Sequence, residues 1–145
     1  MNLHPIIVHF PIALLITGFL FATIELILKK EYVCKNGFSI EPNVIQKTTF
    51  YLLFIGSLSA IIAILSGFIF TSDMDSILGQ MRKTHYTLAI ITTFFSILST
   101  IFYTFYVYKN HSKRLRIIGY IFYLITTILI ATTGYFGGEI VYMFR

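Results

Sequence analysis

Among the side chains with the chemistry to bind a metal or carry a proton, four border the apolar runs of this sequence as a set: His4, His9, His85 and Glu139. Imidazole and carboxylate are both first-row metal ligands, and ionisable side chains at membrane depth are rare enough to be functional candidates by default. His4 and His9 stand in the opening Leu3-His4-Pro5-Ile6-Ile7-Val8-His9-Phe10-Pro11-Ile12-Ala13-Leu14-Leu15, at the mouth of a long apolar run. Five residues of helix turn the chain through roughly 500°, so the two rings point about 140° apart and cannot ligate together from one helix face. One of them therefore has a task other than the principal ligation.

The elements that must position these residues are legible from hydropathy. The chain has 145 residues, 57% hydrophobic and 12% charged, with a mean hydropathy of +0.81. A soluble domain carries about 25% charged residues. The apolar excess falls in four runs, 6–28, 48–70, 86–108 and 117–141, each near the 20 or so residues that cross a hydrocarbon core. Backbone groups in lipid must pair within their own segment, so the runs are predicted to be helices, at about 5–28, 46–70, 84–108 and 116–141. The expected fold is all-α: one transmembrane domain over 1–145, an antiparallel up-down-up-down four-helix bundle with no internal repeat.

Composition also excludes several classes. No basic residue precedes the first run, which is too long for a signal core and is followed by Lys29-Lys30, so it does not read as a cleaved leader. A single cysteine, Cys34, rules out an internal disulfide or a multi-thiolate cluster built by this chain alone. The net charge of +5 sits in short loops, where it records membrane orientation, and nucleic-acid binding is not expected. Lys29, Lys30, Lys35 and Lys47 follow the first run, and Lys109, Lys113, Arg114 and Arg116 follow the third. The opposite side has only Arg82, Lys83 and Arg145, with Asp73 and Asp75. The positive-inside rule then places loops 1 and 3 in the cytoplasm and both termini outside. His4, His9, His85 and Glu139 all fall at the outer end; Glu25 and His111 do not.

Local signals refine the picture. Pro5 suits a first helical turn, whereas Pro11 removes a backbone bond and predicts a kink beside His9. Asn43 is a plausible cap for helix 2, and Ser59, Ala63 and Gly67 form a small-residue stripe for close helix packing. Residues 71–76 read as a turn that offers too few alternating oxygens for calcium, and 77–83 as a short interfacial helix. Helix 3 is expected to begin at His85 and to continue on one face through Ala89, Thr92 and Ser96. Tyr51, Tyr103, Tyr106, Tyr108, Tyr120 and Tyr123 read as an interfacial belt. Gly134, Gly137 and Gly138 each cost a helix about 1 kcal/mol relative to Ala in water, so something must pack closely there. Glu139 beside them needs a partner, for which His4, His9 and Arg82 are the candidates.

The opening His-Pro-Ile-Ile-Val-His-Phe-Pro-Ile-Ala-Leu-Leu and the closing Thr-Gly-Tyr-Phe-Gly-Gly-Glu-Ile-Val-Tyr resemble an uncharacterised bacterial family of four-helix membrane domains, known only as a domain of unknown function. The likeness spans nearly the whole chain; the end motifs are specific, the middle rests on hydropathy and on His85. Members of that family sometimes lie fused or adjacent to c-type cytochrome or Rieske domains, which implies cytochrome-b-like electron transfer with b-type haem in the bacterial inner membrane. Relatives often continue past the final Val-Tyr, whereas this sequence stops at Met143-Phe144-Arg145, so a redox partner is expected to be a separate protein.

The leading expectation is thus one haem b near the outer, periplasmic face, held between helices 1 and 3 by His9 and His85. Imidazole is a standard axial ligand. His4 is the substitute ligand or a partner to a propionate. Arg82 and Lys83 would neutralise propionates, and the helix 4 glycines would admit the macrocycle. Quinol from the bilayer would be an electron partner, and a homo-oligomer stays open. A second haem at the inner face is disfavoured, since only His111 is on offer there. The alternatives are a zinc site built from His4, His9, His85 and Glu139, which lacks any local motif, and a structural subunit of a larger membrane complex. A Ser66–His85–Asp73 hydrolase lacks a nucleophile elbow, and for a proton channel only Glu25 marks the inner half.

Overall fold

The computed structural model describes residues 4–27, 42–70 and 77–143. These form α1 (His4–Ile27), α2 (Pro42–Phe70), α3 (Ile77–Phe105) and α4 (Lys113–Met143), with a π-helical turn over Tyr106–Asn110 closing α3. All four helices are long and apolar enough to cross a membrane, and no strand occurs among the described residues. The chain is an all-α, multi-pass membrane protein built as a four-helix bundle.

The boundaries differ from expectation at two helix starts. α3 begins at Ile77, so the expected interfacial helix is its first two turns and His85 lies inside the helix. Gln80, Met81, Arg82 and Lys83 are good helix formers, and they carry the helix beyond the apolar stretch that hydropathy detects. α2 begins at Pro42, a residue suited to a first turn, which puts Asn43 inside the helix instead of at its cap. α1 runs on as helix through Pro11. The expected loop at 29–41, with Cys34, and the turn at 71–76, with Asp73 and Asp75, lie outside the described residues.

Two hairpins make up the bundle. α1 packs along α2 and α3 along α4, while α2–α3 and α1–α4 meet more narrowly. Close approach relies on glycines where any side chain would collide: a Cβ at Gly56 would stand 2.8 Å from Leu15, and one at Gly119 would stand 2.9 Å from Tyr103. At Gly18 a Cβ would overlap the Tyr123 hydroxyl. These gaps admit Leu15, Leu53, Tyr103 and Tyr123, all 0% exposed, to the centre. Phe50, Tyr106, Val107 and Ile130 complete the core. Half of the expected tyrosine belt is therefore interior: Tyr103, Tyr106 and Tyr123 are buried, whereas Tyr51 and Tyr108 are exposed.

The bundle is apolar outside and hydroxyl-lined within. Phe68 and Ile69 are 75% and 70% exposed, whereas Thr49, Ser57, Thr92, Ser96, Ser99 and Thr126 are buried. Most buried hydroxyls donate to a carbonyl one turn back in their own helix, as Thr92 does to Leu88 at 2.7 Å and Thr126 to Phe122 at 2.9 Å. This satisfies each O–H without a partner helix and leaves the small side chains free to pack. Ser99 instead donates across to the Gly119 carbonyl at 2.9 Å.

Only His111 and Ser112 separate the π-turn from α4. The His111 N–H donates to the Tyr106 carbonyl at 3.0 Å, with His111 in the left-handed region at φ 33°, a conformation histidine adopts more readily than most residues.

Candidate functional site

Each hairpin holds one imidazole at the same end of the bundle. His85, on α3, places Nδ1 2.9 Å from the Thr133 carbonyl of α4. A carbonyl can only accept, so Nδ1 carries the proton and donates, and Nε2 keeps its lone pair. His4, on α1, places Nδ1 2.8 Å from Ser66 Oγ on α2. The Ser66 hydroxyl donates its own proton to the Ala63 carbonyl at 2.8 Å, so toward His4 it accepts. His4 is thereby fixed in the same tautomer as His85, again with Nε2 unprotonated.

Each ring also lies against a glycine. A Cβ at Gly67 would stand 3.1 Å from His4 Cε1, and one at Gly137 would stand 3.0 Å from His85 Cε1. Both rings are part-buried. His4 precedes the apolar span Ile6–Ile27. Its basicity is lowered first by burial, then by the charge of His85, then by that of Arg82. His4 lies at the same end of the bundle as His85 and Arg82, although they come from separate hairpins. Arg82 lies one turn before His85 on the same face of α3.

The other expected residues fall around this centre in different ways. His9 is on an exposed face of α1. Lys83 is exposed and borders a groove of about 410 Å³ with Gln80, Thr84, Thr87 and Leu88. Of the α4 glycines, Gly137 makes room for His85 itself, and Gly134 would set a Cβ 3.4 Å from Ile12. Gly138 faces open space. Among the described residues no hydrogen bond or ion pair joins Glu139 to His4 or His85, and no three of His, Cys, Asp and Glu come together as a group that could hold a metal ion.

The face expected on α3 is borne out: Thr92 and Ser96 are buried below His85, and Thr92 Oγ1 lies 3.3 Å from Thr133 Oγ1. Sequence reasoning did not foresee a second polar cluster at the opposite end. There Tyr106 donates to Glu25 Oε1 at 2.9 Å, and the Arg116 guanidinium lies 6.0 Å from the Tyr106 ring centre. The signal was available: an acid at the end of α1 and a basic residue in the first turn of α4 reach the same level when the helices run antiparallel.

A family model described as "Predicted membrane protein (DUF2231)" matches residues 1–145. No curated protein and no solved structure matches the chain. The match takes in both end motifs seen in the sequence, which place the two histidine contacts at one end of the bundle, and the chain belongs to the DUF2231 family of predicted membrane proteins.

Proposed function

We propose that this chain is a membrane-bound b-type haem protein that carries electrons at the periplasmic side of the bacterial inner membrane, with His4 and His85 as the side chains that would hold the haem iron. The observation that carries the reading is the matched tautomer of the two imidazoles. Metal-ligating histidines ordinarily donate their other ring N–H to a carbonyl or carboxylate, which fixes orientation and raises ligand basicity. His4 and His85 both do so, one through Ser66 and one directly, and each keeps a lone pair on Nε2. Of the two helix 1 histidines, His4 is the one seated among Ser66, Gly67 and the field of His85.

A bis-imidazole site needs two ligands and not three, so it does not require the larger donor group that zinc would take. When bound, haem b would supply a one-electron iron couple. The chain's own contribution is to fix both rings through their Nδ1 hydrogen bonds and to offer Arg82 and Lys83 to the propionates. Gly138, which faces open space, leaves room on α4. Quinol within the bilayer and a separate c-type cytochrome or Rieske-type protein are the matching redox partners. The loop charges favour the periplasmic placement.

The test is an absorption spectrum of detergent-purified protein, oxidised and dithionite-reduced, with elemental analysis. The expected result is a sharp reduced b-type band with iron near one per chain. A colourless protein containing zinc overturns the reading in favour of a metal enzyme. A colourless, metal-free protein after expression with haem supplied leaves the histidines as hairpin clamps in a structural subunit.

A further inference from the structure

The end remote from the histidines carries a cluster that the haem reading does not use. Glu25 of α1 is 8% exposed. Its Oε1 takes the Tyr106 hydroxyl, and among the described residues its Oε2 has no partner. Arg116 of α4, over the Tyr106 ring, has a buried Nε without a partner, and its charge acts on Glu25. On α2, Gln46 is also 8% exposed, and its Nε2 is unpartnered. Counting seven residues along α1 and back along α2 from the Gly18–Leu52 contact brings Glu25 level with Ile45 and Gln46. The Tyr123 hydroxyl, deeper in the bundle, is buried without a partner as well. Native proteins leave few such groups, and each one calls for an explanation.

We propose that this cluster is a proton-binding site, in which Glu25 exchanges one proton with water at the basic end of the bundle. The donor set argues for a proton over a metal cation. Tyr106 and Arg116 present O–H and N–H groups to Glu25, the Gln46 amide lies at the same level, and Glu25 is the one carboxylate among them, so a cation would meet donors and a guanidinium. In the ionised state the carboxylate is served by Tyr106 at Oε1, with the Arg116 charge close by. On protonation a water-borne proton forms an O–H bond at Oε2 and the carboxylate charge near Arg116 is cancelled. The groups bearing on Glu25 are Tyr106 and Tyr103 from α3 and its π-turn and Arg116 from α4; Gln46 of α2 carries no charge.

The site is single-ended. Among the described residues the buried hydroxyls of Thr49 and Tyr123 are unpartnered, but the others on the way from Glu25 to the histidines have their protons committed: Ser57 donates to the Leu53 carbonyl, Thr92 to Leu88, Ser96 to Thr93, Thr100 to Ser96 and Thr126 to Phe122. A relay needs hydroxyls that can pass a proton on, and these are tied to backbone carbonyls.

The experiment is an infrared pH titration of the full chain in lipid nanodiscs, in light and heavy water. The expected result is a carboxylic C=O component that grows on acidification, shifts down in heavy water and is lost in Glu25→Gln, over the bands of the other five acidic side chains. Tyr106→Phe keeps the carboxyl and removes the donor to Oε1, so it should retain the band at a raised frequency; it serves where Glu25→Gln does not fold. A Glu25 that stays a carboxylate across the range where carboxyls and histidines titrate overturns the proposal. So does a band that survives Glu25→Gln unchanged. Vesicles loaded with a pH dye should leak protons no faster with the protein than without it. A leak abolished by Glu25→Gln overturns the single-ended site in favour of a channel.

Discussion

In the first hairpin the imidazole of His4 reaches a backbone carbonyl through the Ser66 hydroxyl; in the second, His85 reaches the Thr133 carbonyl with nothing between. Both rings end in the same tautomer and both lean on a glycine, but the hairpins differ in what a substitution can reach. A side-chain relay can be deleted by one mutation. A backbone acceptor cannot. A carbonyl oxygen has two lone pairs, so Thr133 can serve His85 and still accept its own helix's N–H. The second hairpin thus holds its histidine by a device that is insensitive to residue identity at the acceptor. In the first, the identity of residue 66 is part of the device.

The largest contrast should come from the rings themselves. His85→Ala and His4→Ala should each abolish the low-spin b-type spectrum in membranes where wild type takes up haem. An unchanged spectrum in His4→Ala with loss in His9→Ala would return the helix 1 ligand to His9. Next in size are the supports. Ser66→Ala strands the His4 N–H, a loss of about 1–3 kcal/mol for a buried donor, visible as a lowered unfolding midpoint in detergent. Thr133→Val leaves the carbonyl in place and should keep the His85 contact, read as an unchanged His85 ring resonance. If both substitutions act alike, the asymmetry between the hairpins is not real.

Glycines sharpen the same comparison. Gly137→Ala would push a methyl against His85 and should cost about 1–3 kcal/mol from overpacking. Gly138→Ala, facing open space, should be neutral or gain up to about 1 kcal/mol from helix propensity. Thermal unfolding of the two variants side by side decides it. The smallest effect concerns charge. By imidazole NMR in the haem-free protein, His4 should titrate below its ordinary value of 6.5. His85→Ala should move it part of the way back, and Arg82→Gln less, because burial is the largest cause. The sign follows from linkage: with a depressed folded value, the unfolded chain binds more protons below pH 6.5, so stability falls as the pH drops through that range.

The spans were legible because lipid imposes an apolar length on any helix that crosses it, and the chain meets that length four times. The polar first turns of α3 were read as a separate interfacial helix, since hydropathy is blind to Gln80, Arg82 and Lys83 joining it to the span. The tyrosines were misplaced for a related reason. A Tyr at an interface and a Tyr at a bundle centre look alike within their own helix; what separates them is a glycine on another, Gly18 against Tyr123 and Gly119 against Tyr103. At the candidate site the residue types were readable, but the partners were not. Nothing near His4 in sequence points to Ser66, which is 62 residues away.

The turn at His111 sets a length standard for the second hairpin. With only His111 and Ser112 between the π-turn and α4, the two helices have no slack, and the pairing of His85 with Gly137 is counted out from that corner. One residue inserted there would rotate α4 by about 100° and slide it about 1.5 Å. At the far end Gly137 would swing away from the imidazole. The exposed corner, at the opposite end of the bundle from the imidazoles, thus acts as the zero mark of a ruler whose other end is read at His85.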